Sequence, residues 1–342
     1  MAAATTPRKA KDFVSDQDVR WCPGCGDYSI LKNVQRVMPD IGVPKEDIVF
    51  VSGIGCSSRF PLYMDTFGFH TIHGRAPAFA TGMKAARPEL SVWVVTGDGD
   101  GLSIGGNHLM HVLRRNLDVQ ILLFNNRVYG LTKGQYSPTS RVGMISKSTP
   151  QGSIDHPIDP VSFALGAGAS FVARAIDVDG PHLQEMLKRA AAHRGTALIE
   201  ILQNCPVYND NEWGEVQDRK TRPKAALVLE HGEPLVWGGP GERCGIAITD
   251  GVPSVVALDD DDDPVAKGVA VHDESHQAPS FAFALASLAR PEFPLPIGVI
   301  RAVEKPSYER MLADQVDAAK ARAGVPDLEA LLHSGDTWTV ES

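Results

Sequence analysis

No run of apolar residues in this 342-residue chain reaches the roughly 18 needed to cross a bilayer, so a membrane-spanning segment is not expected. The opening residues, MAAATTPRKAKDFVSD, lack the apolar stretch that forms the centre of a secretory signal. Basic residues are outnumbered, with 33 Lys and Arg against 42 Asp and Glu. The resulting net charge of −9 excludes general nucleic-acid binding, which needs a basic surface. Cysteines are few and odd in number, five in all, and no signal precedes them. That usage points to a reducing cytoplasm rather than a disulfide framework. A chain this long buries a large core unaided, so thiols here are free to bind metal, and a metal site is expected to be functional rather than a staple.

What is present is an alternation of short β-branched runs and helical stretches. Ile48–Val51 reads as a strand, Phe69–Ile72 as a second, Ser91–Thr96 as a third and Val119–Phe124 as a fourth, with Phe171–Ile176 and Ala197–Leu202 further on. Ser91–Thr96 is almost continuously apolar, as strands buried on both faces are. Helices are expected over Ala76–Arg87, ahead of Pro88, over about Ile104–Arg115, near Pro160–Gly168 and over Pro181–His193. Strands alternating with helices imply an α/β fold, a mostly parallel sheet covered by helices on both faces. Residues 1–20 read as a polar N-terminal arm, 21–224 as the main domain and 225–342 as an irregular C-terminal extension of short hairpins with helices at Ser280–Ala289 and Tyr308–Ala323. The acidic run Asp259–Asp263 in that extension reads as a solvated turn.

Chemistry concentrates where strands end. Ser91–Thr96 runs into Gly97-Asp98-Gly99-Asp100-Gly101, and Val119–Phe124 ends at Asn125-Asn126, followed by Arg127-Val128-Tyr129-Gly130. Asp98 and Asn126 lie 28 positions apart, the length of one strand–helix–strand unit. Such a unit returns the chain to the same edge of the sheet, so both loops face one crevice. A carboxylate, an amide oxygen and a backbone carbonyl there suit Mg²⁺, which takes about six oxygens and readily shares them with a phosphate. The glycines let backbone approach a diphosphate, and a helix opening near Ile104 would point free N–H groups at it. Gly-Asp-Gly alone is a common turn, and Asn-Asn alone a common loop. A dinucleotide site fits less well, because the pattern is not Gly-x-Gly-x-x-Gly with an acidic residue about 20 positions on.

Four of the cysteines sit at matching places. Trp21-Cys22-Pro23-Gly24-Cys25-Gly26 holds a C-x-x-C in which Pro and Gly force a tight turn, able to aim two thiolates at one centre. Cys56 follows the second strand-end loop in Gly55-Cys56-Ser57-Ser58, and Cys205 a third in Asn204-Cys205-Pro206, so both are expected at the crevice edge. Ligand type alone leaves zinc and an iron–sulfur cluster open. A thioredoxin-like redox pair is a third reading of the C-x-x-C, although that motif belongs to a much smaller domain. Cys244, in the extension, reads as a bystander thiol.

Six strings occur in order: WCPGCG, GIGCSSR, HGRAPAFATGMKAA, GDGDGLSIGGNHLMHVLRRN, NNRVYGLTKGQYSPTS and a final NCP. The GDG and NN elements look like the thiamine diphosphate signature. Together the six strings, over roughly residues 20–225, resemble the β subunit of 2-oxoacid:ferredoxin oxidoreductases. The resemblance implies a thiamine-diphosphate-binding fold, with Asp98, Asn126 and the carbonyl of Val128 on Mg²⁺. It implies one [4Fe–4S] cluster on Cys22, Cys25, Cys56 and Cys205, which decides between the metals left open above. The activity it implies is oxidative decarboxylation of a 2-oxoacid with coenzyme A. The thiazolium serves as electron sink, and electrons leave one at a time through the cluster to ferredoxin.

Other residues join the candidate site from their positions. Ser57, Ser58, His73, Gly97, Gly99, Asp100, Gly130 and Leu131 are cofactor candidates, and Arg75 and His73 follow a strand end where a diphosphate or a carboxylate would lie. Leu131, Thr132 and Lys133 are placed to line a substrate pocket, Lys133 as a point charge for the substrate carboxylate. His108 and His111 read as packing residues. No residue matches the family glutamate that activates the aminopyrimidine, so a larger α subunit is an expected partner and the chain alone is expected to be incomplete. The run Lys147–Asp155 resembles the 2-oxoglutarate branch, and Arg75, Lys133, Arg141 and Lys147 are candidates for a second carboxylate. The competing readings are a pyruvate or other 2-oxoacid enzyme of the same kind, a cluster-free thiamine decarboxylase and a non-catalytic zinc-bound interaction module.

Overall fold

A computed structural model describes residues 8–324 and 327–341; residues 1–7 of the expected N-terminal arm lie outside them. The strands in chain order are β1 (Ile48–Ser52), β2 (Phe67–His70), β3 (Ser91–Gly97), β4 (Val119–Asn125), β5 (Val128–Tyr129), β6 (Gln135–Tyr136), β7 (Phe171–Ile176), β8 (Ala197–Leu202), β9 (Ala226–Leu229), β10 (Val236–Trp237), β11 (Cys244–Thr249), β12 (Val252–Ala257) and β13 (Leu295–Ala302). Eight form one sheet in the order β2-β1-β3-β4-β8-β7-β13-β9. The first six run parallel, while β13 is antiparallel to β7 and parallel to β9. The segment after residue 224 thus completes the sheet with two strands and adds the separate hairpin sheet β10-β11-β12.

Strand residues alternate between two cores, as a period of two requires. Val49, Val51, Val92 and Val94 pack on one face, together with Leu109 and Leu113 of the helix Gly106–Arg115. Ile48, Phe50, Trp93 and Val95 pack on the other, against Ile30 and Val34 of the helix Asp27–Ile41 and Leu183 and Leu187 of the helix Gly180–Ala192. Both faces are covered, which is why β3, β4, β7 and β8 are apolar nearly throughout. Helix starts are marked in the sequence: Asp159 accepts from the N–H of Ser162 and Asp179 from that of His182, each followed within two residues by a proline. At the far edge β2 is different, with all four of its residues exposed.

Two expected elements shift. The second strand lies two residues earlier than Phe69–Ile72. The helix expected from Ile104 begins at Gly106, and the Gly-Asp-Gly run itself coils into a helical turn, Asp98–Leu102. Gly105 explains the break between them: an added Cβ would lie 2.4 Å from the carbonyl oxygen of Asp100, so the chain must turn there against its own previous turn.

Candidate cofactor and cluster site

From β1 the chain moves outward to β2, then returns to β3 on the other side of β1. The loops after β1 and β3 therefore part, and a crevice opens at the carboxyl ends of the strands, where ligands bind in sheets of this kind. Ser57, His73, Gly97, Asp98, Gly99 and Asp100 line it from that side, and Asn126, Val128, Gly130, Leu131 and Thr132 from the loop after β4. Cys56 lines it too. Ser58 lies behind it, fully buried, with its hydroxyl unpartnered and its carbonyl accepting from Ser52 Oγ at 2.7 Å.

Asp98 is 2% exposed, and burial pushes its carboxyl up to about 6. Oδ2 accepts from the hydroxyls of both Ser137 and Thr139, the latter at 2.7 Å. Two neutral donors on one oxygen hold the carboxyl group in place, and a cation at its second oxygen would stabilise the charged form. Asn126 is oriented by the N–H of Val128, which donates to its Oδ1 at 3.1 Å. That oxygen keeps a lone pair for a metal. The donor set therefore suits a hard cation with a diphosphate.

Asp100 also lines the crevice, but its carboxylate is fully engaged with the surrounding loops. Oδ1 accepts from the backbone of Ile54 at 3.0 Å and of Gly74 at 2.7 Å, and Oδ2 from Thr96 Oγ1 at 2.7 Å. His73 Nδ1 stands 2.7 Å from the same Oδ1, angled away from a hydrogen bond. One side chain thus ties together the loops after β1, β2 and β3. Gly53 makes room for it, since a Cβ there would lie 2.0 Å from Asp100 Oδ2.

The four cysteines gather at the same strand ends. Cys25 N–H donates to the carbonyl of Cys22 at 3.0 Å, closing the tight turn, with Gly24 at φ 80°. The Trp21 indole donates to the carbonyl of Cys56 at 2.7 Å, joining that turn to the loop after β1. Cβ-less Gly130 faces both remaining sulfurs: an added methyl would lie 3.5 Å from Cys56 Sγ and 3.6 Å from Cys205 Sγ. Burial pushes the Cys56 thiol up to about 12 and that of Cys25 higher still, with neighbouring cysteines adding to both. A metal bound by these sulfurs would offset that effect by stabilising the thiolates. Cys244 stands apart in β11, paired with Trp237 and Ala257 of the hairpin sheet.

Among the substrate candidates, Leu131 and Thr132 line the crevice, whereas Arg75 and Lys133 lie outside its walls. Arg75 caps the helix Ala76–Ala86 and reaches toward the carbonyl of Ile104 at 3.4 Å; Lys133 is exposed, with φ 76°. Arg141 is bound to Glu212, which Arg127 shares. Two residues of the site carry no motif of their own. Asp27 lines the crevice, 1% exposed, with Oδ2 unpartnered and its carboxyl pushed up to about 7 by burial. Gln203, also 1% exposed, contacts both Asn126 and Cys25. Their signal is spatial, since Gln203 is 77 and 178 positions from those partners.

Fold and crevice define a thiamine-diphosphate enzyme domain, and residues 53–201 match the family described as thiamine pyrophosphate enzyme, C-terminal TPP binding domain. The chain is 53% identical to the 2-oxoglutarate oxidoreductase subunit KorB of Mycobacterium tuberculosis, over 98% of this chain and 89% of that one. It is 46% identical to the 2-oxoacid:ferredoxin oxidoreductase subunit beta of Saccharolobus solfataricus, over 58% of this chain and 66% of that one. A solved 2-oxoglutarate:ferredoxin oxidoreductase from Magnetococcus marinus, with 2-oxoglutarate, coenzyme A and succinyl-CoA bound, superposes with a TM-score of 0.77 at 32% identity, covering 98% of both chains. The chain belongs to the β-subunit family of the 2-oxoacid:ferredoxin oxidoreductases. Among the described residues no helix is long and apolar enough to cross a membrane.

Proposed function

We propose that this chain, with an α subunit, oxidatively decarboxylates 2-oxoglutarate with coenzyme A to succinyl-CoA and CO₂, or runs the reverse carboxylation, exchanging electrons with ferredoxin. The observation that carries the reading is the meeting of two donor sets at one sheet edge. Asp98 and Asn126 flank the crevice, and the sulfurs of Cys56 and Cys205 face Gly130 in the same loop as Asn126. The relative from M. tuberculosis and the superposed structure from Magnetococcus both carry 2-oxoglutarate in their names, which favours that substrate over pyruvate.

In this reading Asp98, Asn126 and the carbonyl of Val128 hold Mg²⁺ on the diphosphate of thiamine diphosphate. When bound, that cofactor supplies the electron sink for decarboxylation. Ser57, Ser58, Gly97, Gly99 and His73 shape the diphosphate side, with Asp100 holding their loops together. Leu131 and Thr132 wall the substrate side, Lys133 takes the substrate carboxylate, and Arg75 serves the diphosphate or a second carboxylate. Cys22, Cys25, Cys56 and Cys205 hold one [4Fe–4S] cluster. Among the described residues no three His, Cys, Asp or Glu side chains converge closely enough for a single metal ion. Residues 21–224 form the unit that binds both groups, and 225–342 an extension that completes the sheet.

The test is anaerobic co-purification with the α subunit, then iron and thiamine analysis and 2-oxoacid-dependent reduction of a viologen dye. We expect about four irons per chain and a higher kcat/KM for 2-oxoglutarate than for pyruvate or 2-oxobutyrate. A pyruvate value equal or higher overturns the substrate; zinc without iron overturns the redox activity.

A further inference from the structure

Gln203 lies just past β8, where its N–H donates to the carbonyl of Asn125 at 3.0 Å and keeps it in register with the end of β4. Its Oε1 accepts from Nδ2 of Asn126 at 2.7 Å, and its Nε2 donates to Sγ of Cys25 at 3.3 Å and to the carbonyl of Asn204. The direction of every bond is set from both ends. The Val128 N–H fixes the oxygen of Asn126, so the nitrogen of that amide faces Gln203 and demands an acceptor. At the other end the Asn204 carbonyl can only accept, so the Gln203 nitrogen must point there and at Cys25. Gly26 walls the side chain in, since a Cβ at that position would lie 2.9 Å from Gln203 Cγ.

We propose that Gln203 is a positioning residue serving both centres: it fixes the metal-facing amide of Asn126 and tunes the cluster's reduction potential by N–H···S donation to Cys25. This rests on the reading that Asn126 binds the cofactor's metal and Cys25 the cluster. The physical reason is charge. Reduction adds an electron to the cluster and its thiolates, and an N–H aimed at a ligand sulfur stabilises that added charge, raising the potential. The same amide gives Asn126 a side-chain acceptor at 2.7 Å, so the two centres share one rigid group across the gap that electrons must cross.

The test uses the anaerobic αβ complex with Gln203 intact, Gln203→Glu and Gln203→Met. Glutamate keeps an acceptor for Asn126 and loses the donor to sulfur; methionine loses both and adds no charge. Three quantities are read: iron content, cluster midpoint potential by EPR-monitored titration, and thiamine diphosphate affinity in Mg²⁺ by calorimetry. Both variants should keep their iron and shift the potential more negative, by on the order of a tenfold change in the reduction equilibrium, about 59 mV for one electron. Cofactor affinity should stay within about twofold in Gln203→Glu and fall about tenfold in Gln203→Met, as expected for one lost buried hydrogen bond. A side chain that only fills space would not separate the two readouts. Potentials unchanged in both variants, or iron lost from both, would overturn the proposal. An intact complex that holds no iron would instead overturn the cluster reading and, with it, this one.

Discussion

Thr139 donates its hydroxyl to Oδ2 of Asp98 at 2.7 Å, joining a loop residue to a buried carboxyl group of the crevice across 41 positions. A hydrogen bond to a buried carboxylate is worth about 1.5–3 kcal/mol. Thr139→Val keeps the shape and removes the donor, and Mg²⁺-dependent thiamine diphosphate affinity should fall at least about tenfold by calorimetry. Ser137→Ala, on the same oxygen, should act in the same direction.

Cysteine replacements should separate sharply. Cys22, Cys25, Cys56 or Cys205 changed singly to Ser should lose iron and visible absorption, because a hard hydroxyl replaces a soft thiolate. Cys244→Ser should keep both, since that thiol lies in the hairpin sheet. Iron loss from Cys244→Ser with retention in Cys56→Ser would reverse the assignment.

Gly53→Ala would drive a methyl onto the Asp100 carboxylate, which braces three loops. Overpacking of this kind typically destabilises by about 1–3 kcal/mol. Lower thermal stability together with weakened cofactor binding is the expected pair of effects; an unchanged melting temperature would contradict the brace.

Between the adjacent strands β7 and β8, Arg174 pairs through Nε with Glu200 at 2.6 Å, and both are nearly fully buried. Removing one partner of such a pair costs about 3–5 kcal/mol, because a charge is left stranded. Arg174→Met should lower the denaturant midpoint by that measure, while Arg290→Met, whose partner Glu215 is exposed, should change it little.

His193 is held below its ordinary value, at about 4, because burial disfavours its charged form. Its Nε2 lies 2.7 Å from Ser170 Oγ. The unfolded chain, titrating near 6.5, binds the proton more tightly than the folded one. Stability should therefore be complete above about 6.5 and decline as pH falls toward 4. Melting temperatures measured across that window should fall less steeply in His193→Gln than in the parent.

Where a strand is buried on both faces, its bounds were legible from the residues alone: Phe171–Ile176 and Ala197–Leu202 lie where the apolar runs place them. β2 slipped by two residues because none of its side chains is buried, so only pairing to β1 sets its position. Asp98, Asn126 and Cys56 were legible as crevice residues because each follows closely on an apolar strand, whereas Cys22 and Cys25 precede the first strand and are marked only by their C-x-x-C spacing. Asp27, Gln203, Ser137 and Thr139 were not. Gln203, Ser137 and Thr139 act through contacts 39 to 178 positions away in the chain, and Asp27 enters through its burial at the crevice, which no spacing announces.

That bare edge has a price in the life of the chain. Among the described residues no strand pairs with the outer backbone rim of β2, where Phe67 is 63% and Phe69 44% exposed, and Phe79, 43% exposed, lies tilted beside Phe69. A rim of this kind invites pairing with any passing strand. A cell making this polypeptide faster than whatever covers the rim would see it clump, so matched synthesis of its companions becomes a condition of yield, and light scattering by the isolated chain should climb with concentration.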